Sequence, residues 1–381
     1  MRRSPAVVAA FAVSLSILGS RPARGHEFGE VSLALGSLEV TQSIQRVPQS
    51  GGLPVGLSAH KATTIRAFIQ ATRYGHPPGS HAPLFIPVSV NGTLTIRQGL
   101  TILAVLPAAN GPISVMPFAS AAPASANSSL NFNWSSPASG TVTMELDLSS
   151  AIAGITAVDP AGQDFTFVHN KRFRVQGVRL QYDHDGNPAT PPTKTPDPAL
   201  VISGLDWFRK SGPLAPCKLS YWVNPTPLQT TYNLSSMVDP GPLRATLAGM
   251  KVLGSVTYDQ VYGWWQGGVS GNGYSMLPGT CASPAASGAY GNTDPTRYVR
   301  TFTHEVYHNY HQVHYADGSS NWACDAHPGS DFGSGQIGQV GWDTSLGAPV
   351  PSTKLDVMVP GQLTAAAWQD ATRYSYFWNL W

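Results

Sequence analysis

Charged side chains are scarce in this sequence, at 12% of its 381 residues, where a typical soluble domain carries about a quarter. That composition leans away from helical bundles. No stretch of 18 uninterrupted apolar residues occurs, so no membrane-spanning helix is expected. No cluster of Lys and Arg suggests a nucleic acid or an anionic lipid as partner. Cysteine is rare too: Cys217, Cys281 and Cys324 are the only three, which permits one internal disulfide and leaves an odd thiol. What abounds is glycine (38) and proline (32), a turn-rich composition that favours β structure.

The first 25 residues have the form of an export signal. Arg2 and Arg3 precede the short apolar run AVVAAFAVSLSIL, and Ala23-Arg24-Gly25 fits a small-x-small cleavage site. The expected location is therefore secreted, either extracellular or periplasmic. Removing the signal's four arginines from the 23 basic residues leaves 19 against 21 acidic ones. The basic balance of the whole chain thus belongs to the leader. In an oxidising compartment a disulfide is expected, and Cys281 with Cys324 is the preferred pair because the two flank a histidine cluster.

From His26 to about residue 172 the sequence shows β-type runs and little helical periodicity. LEVTQSIQ, TTIRAFIQATR, LFIPVSV and TVTMELDLS are rich in β-branched residues. FIPVSV-Asn91-Gly92-TLTIRQ predicts a hairpin turning at Asn-Gly. A β-sandwich-like N-terminal domain over 26–172 is the natural packing. The texture then changes. RFRVQGVRLQYD reads as a strand, PALVISGLDWFRKSG as a helix from Pro198, and PGPLRATLAGMKVLG as a helix ending at Gly254. TYDQVYGWWQGGVSGNGYSML reads as a strand pair broken by glycines, TRYVRTFTHEVYHNYHQ as the strongest helix, and DATRYSYFWNLW as a C-terminal one. Strands with a few helices predict an α+β domain over 173–381.

Residues 304–314 read HEVYHNYHQVH. On a helix His304 and His308 lie one turn apart on one face. That spacing lets two imidazoles converge on one Zn²⁺, with Zn–N distances of about 2.0–2.1 Å. Glu305, beside the first histidine, can serve as general base for an attacking water. A catalytic zinc takes three protein ligands, and both His311 and His314 are available. On a continuous helix His311 would lie about 10.5 Å along the axis from His304, beyond easy reach of the metal. His314 reaches it if the helix stops near residue 311 and the chain turns back. Glycine suits such a turn best, and histidine is among the residues that tolerate it. A chance HExxH in a structural helix, or an adventitious histidine-rich metal binder, is the plainer reading of the same residues.

HEVYHNYHQVH resembles the metzincin zinc-protease signature HExxHxxGxxH at His304, Glu305, His308 and His314, and departs from it at His311, where the family has glycine. Metzincins also carry a methionine in a tight turn below the metal. KLDVMVPGQL places Met358 44 residues after His314, with Pro360 and Gly361 supplying turn chemistry. Pro360 stands where several metzincins have tyrosine, so no tyrosine role is carried over. The stretch from GSGQIGQVGWD to LDVM is similar to secreted bacterial metzincins, including the mucin-directed type. The resemblance implies a metzincin-like domain over 173–381 with His304, His308 and His314 as zinc ligands and Glu305 as catalytic base. It also implies an edge strand ahead of the active-site helix that pairs with an extended polypeptide or glycoprotein substrate, and GGVSGNGYSML (267–277) is the candidate.

Two further sites are weaker. Asp183-His184-Asp185-Gly186-Asn187 resembles part of a Ca²⁺ loop but lacks the closing glutamate, Thr195 standing near its place; a solvated turn is the default reading. Cys324-Asp325-Ala326-His327 could ligate a metal, but a disulfide cysteine and a surface histidine explain it equally. The expected function is secreted zinc-dependent endopeptidase activity. The alternative is a catalytically inactive metzincin-fold binding protein, since Tyr307 and His311 are unusual in the motif.

Overall fold

The computed structural model describes residues 31–44, 56–73, 87–116, 125–135, 137–150, 155–157, 162–182, 194–230, 241–253, 256–266, 273–274, 289–292, 297–310, 336–337, 340–359, 364–369 and 371–380. The architecture is mixed α+β, with many strands and four α-helices among these residues. None of the described helices is long and apolar enough to cross a membrane. The leader and the calcium-like loop at 183–187 lie outside the described residues, as do His311, His314, Cys281, Cys324 and His327. Cys217 is a free, exposed thiol.

Strands between Val31 and Val168 form two sheets over one core. In the first sheet Val31–Thr41 pairs with Thr63–Arg73, which pairs in turn with Leu130–Trp134. In the second, Val88–Gln98 lies between Thr101–Pro107 and Gly140–Ser149. Leu33, Val40, Ile65 and Phe132 from one sheet meet Leu94, Ile96, Val142 and Leu146 from the other in a single cluster, each at most 3% exposed. Alternation along Val88–Gln98 and Gly140–Ser149 keeps every second residue in that core.

The hairpin predicted at Asn91-Gly92 does not form. Val88–Gln98 runs straight through this pair, with Asn91 opposite Ser149 and Gly92 opposite Leu148. Asn91 Oδ1 accepts a hydrogen bond from the Gly92 N–H. A Cβ at Gly92 would lie 3.1 Å from both the Asp147 carbonyl oxygen and Leu130 Cδ1. Glycine here lets two neighbours approach a central strand. The chain reverses instead at Gln98–Thr101, where Gly99 has φ of +58°.

Phe173 opens a third sheet in the order Leu219–Val223, Phe173–Tyr182, Gln260–Trp265, Ala289–Asn292, Gly273–Tyr274. The first four strands are parallel, and Gly273–Tyr274 is antiparallel at the edge. Parallel neighbours need crossovers, which helices supply. α1 (Pro198–Ser211) starts at Asp197, whose carboxylate accepts from the Ala199 N–H at 2.8 Å. α2 (Gly241–Gly249) stops short of the expected Gly254, and Val252–Leu253 instead pairs with Val256–Thr257. Side chains alternating along Gln260–Trp265 face opposite layers. Tyr262 and Trp264 pack in a cluster with Val201, Leu205 and Phe302, whereas Val261 and Trp265 pack with Leu243 and Leu247 of α2. The expected strand pair within 257–277 is corrected: Ala289–Asn292, four residues without a strong strand pattern, sits between its two members.

The two parts of the chain share a junction at the C-terminal end of α1. Lys61, 3% exposed, donates from Nζ to the carbonyls of Arg209 at 2.9 Å and Gly212 at 2.7 Å. These carbonyls lack partners within the helix, so the amine completes the helix end. Ser58 Oγ donates to Pro213 O, and Ser43 Oγ to Lys210 O. Ile44 packs in a small core with Ile337, Val350, Trp368 and Tyr374. The Arg66 guanidinium, bonded to Ser125 O and Ser129 Oγ, lies 4.5 Å from the Trp342 ring centroid.

Burial first, and then the Arg209 charge, lower the Lys61 ammonium pKa from its ordinary 10.5 to about 7. Between these values the unfolded chain binds more protons than the folded one, so stability rises as pH climbs from about 7 to about 10.5. Denaturation curves across this range should show the rise, and Lys61→Met should flatten it. The same substitution strands buried carbonyls and should cost about 1–3 kcal/mol.

Candidate metal centre

α3 (Tyr298–His308) carries the histidine motif, and Arg300 through His308 are all buried. Phe302, Val306 and Tyr307 anchor it in the cluster formed with α1 and the sheet. Tyr307 is fully buried and stacks on Phe377 of α4 (Ala371–Leu380), with ring centroids 3.8 Å apart. The tyrosine that looked unusual within the motif is therefore a core residue. The regular helix ends at His308, and Asn309 and Tyr310 form a turn. Asn309 Nδ2 donates to Gln260 Oε1 at 3.0 Å, and Tyr376 of α4 donates to the Tyr310 carbonyl at 3.2 Å.

His304 and His308 meet edge to face, with ring centroids 4.7 Å apart and planes at 90°. Their Nε2 atoms are 3.2 Å apart. Two Zn–N bonds of about 2.0–2.1 Å meeting at a tetrahedral angle would separate the nitrogens by about 3.3 Å. The pair thus has the bite that a tetrahedral ion requires. His304 Nδ1 lies 2.8 Å from the Val357 carbonyl oxygen. Since a carbonyl only accepts, this hydrogen bond requires the proton on Nδ1, and in a neutral ring Nε2 then presents its lone pair toward His308. Glu305 is 5% exposed and lies next to His304 in the chain.

The carbonyl that orients His304 belongs to a tight turn at Asp356–Val359, closed by the Val359 N–H donating to Asp356 O at 3.0 Å. Asp356 Oδ1 accepts from the Met358 N–H at 2.8 Å, an Asx-type brace. Arg373 of α4 donates its Nε–H to the same oxygen at 2.8 Å, and both side chains are sealed from water. Arg300 of α3 donates from Nη1 to the carbonyls of Val357 at 2.6 Å and Val359 at 2.7 Å. Met358 itself is fully buried in the α3 cluster. Burial lowers the Arg300 pKa to about 10, while Glu305 and Asp356 oppose the shift. Burial, and next Glu305, raise the Tyr262 phenol well above its ordinary value, so it remains neutral.

Of the residues singled out in the sequence, His304, Glu305, His308 and Met358 come together around one helix and one turn. Among the described residues no group of three or more His, Cys, Asp or Glu side chains converges on a metal position, and the expected third ligand lies beyond the last described residue of this segment. Sequence reasoning missed Arg300, Asp356, Arg373 and Tyr376. A signal existed for two of them. Arg300 stands four residues before His304, on its helix face, and Asp356 stands two before Met358, where an Asx turn begins.

No family model and no curated protein matches the chain.

The Asp356–Arg373 pair should govern how firmly the turn is held. Arg373→Met removes the cation hydrogen-bonded to the buried Asp356 carboxylate and should cost about 3–5 kcal/mol, measured by chemical denaturation.

Proposed function

We propose that this chain is a secreted zinc-dependent endopeptidase of metzincin type. The observation that carries the reading is the 3.2 Å approach of the His304 and His308 Nε2 atoms, with the His304 tautomer fixed by the residue before Met358. His304, His308 and His314 would hold the ion. The end of α3 at His308 and the turn that follows favour a chain that leaves the helix axis before His314. Bound zinc would supply Lewis-acid polarisation of the scissile carbonyl and lower the pKa of water.

The chain's own residues do the rest. Glu305, on the turn of α3 that carries both histidines, accepts a proton from the attacking water as its oxygen adds to the peptide carbonyl carbon. It then returns that proton to the departing amine, so that one water is consumed per bond broken. Burial around Glu305 keeps competing solvent away. The antiparallel edge strand Gly273–Tyr274 precedes α3 in the chain, which suits an extended polypeptide or glycoprotein substrate that adds as a further strand.

Elemental analysis of the purified protein should give about one zinc per chain, and His304→Ala and His308→Ala should lose it. Glu305→Gln should keep the metal and reduce kcat/KM on a protein substrate by about 10²–10⁴-fold. Absence of zinc from the wild-type chain would sink this reading. Zinc with no hydrolysis by any preparation would point to a metzincin-fold binding protein instead.

A further inference from the structure

Two neighbouring observations converge on one carbonyl. Val357 O accepts from His304 Nδ1 at 2.8 Å and from Arg300 Nη1 at 2.6 Å. The same Arg300 nitrogen also holds Val359 O at 2.7 Å, so a single guanidinium fixes both carbonyls that flank Met358. Arg300 is 1% exposed and stands one helical turn before His304, on its face. Its contacts with the turn therefore span the same gap, between α3 and the Asp356–Val359 turn, that the His304 hydrogen bond spans.

We infer that Arg300 is a positioning residue for His304: it fixes the Val357 carbonyl, which keeps the imidazole proton on Nδ1 and leaves Nε2 free to bind a metal. A free imidazole in water favours the proton on Nε2, the tautomer that blocks the metal-facing nitrogen. The carbonyl reverses that preference only while it stays 2.8 Å from the ring. Asp356 and Arg373 brace the turn through the Asp356 carboxylate, on the α4 side. Arg300 braces it from the α3 side, through the carbonyls of Val357 and Val359. The two N–H bonds of Nη1 are fixed in the guanidinium plane and serve two carbonyls at once, whereas a lysine ammonium at the same place is a single mobile donor group.

The role toward zinc rests on the peptidase reading, but the tautomer does not, and the experiment separates them. Long-range ¹H–¹⁵N NMR of the zinc-free wild-type chain should show His304 protonated at Nδ1; protonation at Nε2 there overturns the inference whatever the metal does. In Arg300→Met the signal should move toward the Nε2-protonated form. Zinc affinity, measured by chelator competition, should fall about 10–100-fold, as when an outer-shell partner is lost. Arg300→Lys should restore part of both. A folded Arg300→Met chain with the wild-type tautomer and affinity would reduce Arg300 to a packing role. Should Arg300→Met not fold, Arg300→Lys decides by the same two readouts: an intermediate tautomer and affinity support the inference, and wild-type values refute it. A wild-type chain that binds no zinc yet holds His304 at Nδ1–H would defeat the peptidase reading and leave the positioning role intact.

Discussion

The Val357 carbonyl is the point on which the candidate centre depends. One oxygen ties the histidine helix to a turn more than fifty residues further along, and it lies within hydrogen-bond distance of His304 Nδ1. Everything around it serves to keep that oxygen still. The Asx brace from Asp356, the Arg373 pair and the burial of Met358 all hold the turn in this arrangement. Unpaired, such groups would each carry a large desolvation penalty, so the network holds together only when all its members are present.

The helix is held as firmly from its other sides. Phe302 stacks on Trp264 and meets Phe208 of α1 edge to face, while Tyr307 lies against Phe377. α3 is therefore gripped by the sheet, by α1 and by α4. Rings with defined contact geometry on three sides limit both rotation and sliding. This matters because two imidazoles on successive turns keep their convergence only if the helix neither twists nor shifts.

How much of this could be read from the sequence depended on the distance over which each cause acts. α1, α3 and α4 start at or close to the positions expected from proline and helical periodicity, since these are local signals. HExxH spacing is local too, and the meeting of His304 and His308 follows from one helical turn. Asn91-Gly92 misled for the opposite reason. Its turn propensity is local, but a strand paired on both sides, with Asp147 O and Leu130 crowding the glycine, overrides it. The short strand Ala289–Asn292 owes its place to its neighbours on either side. Arg300 was visible as a residue on the right helix face, yet its carbonyl partners lie 57 and 59 residues away, and no periodicity reports such a pairing.

The hydrogen bond from Trp368 Nε1 to Ser43 O joins positions 325 residues apart. Contacts of such separation form slowly, because a very long loop must close before they stabilise anything. Ile44, just past the strand Val31–Thr41, lies in the same small core as Trp368 and as Tyr374 of α4, so the seat of α4 is built partly from the N-terminal sheet region. α4 also supplies Arg373 to the turn beneath α3, so the turn that orients His304 is linked through α4 to this long-range contact. The setting of the His304–His308 pair is in this sense tied to contacts between segments far apart in the chain.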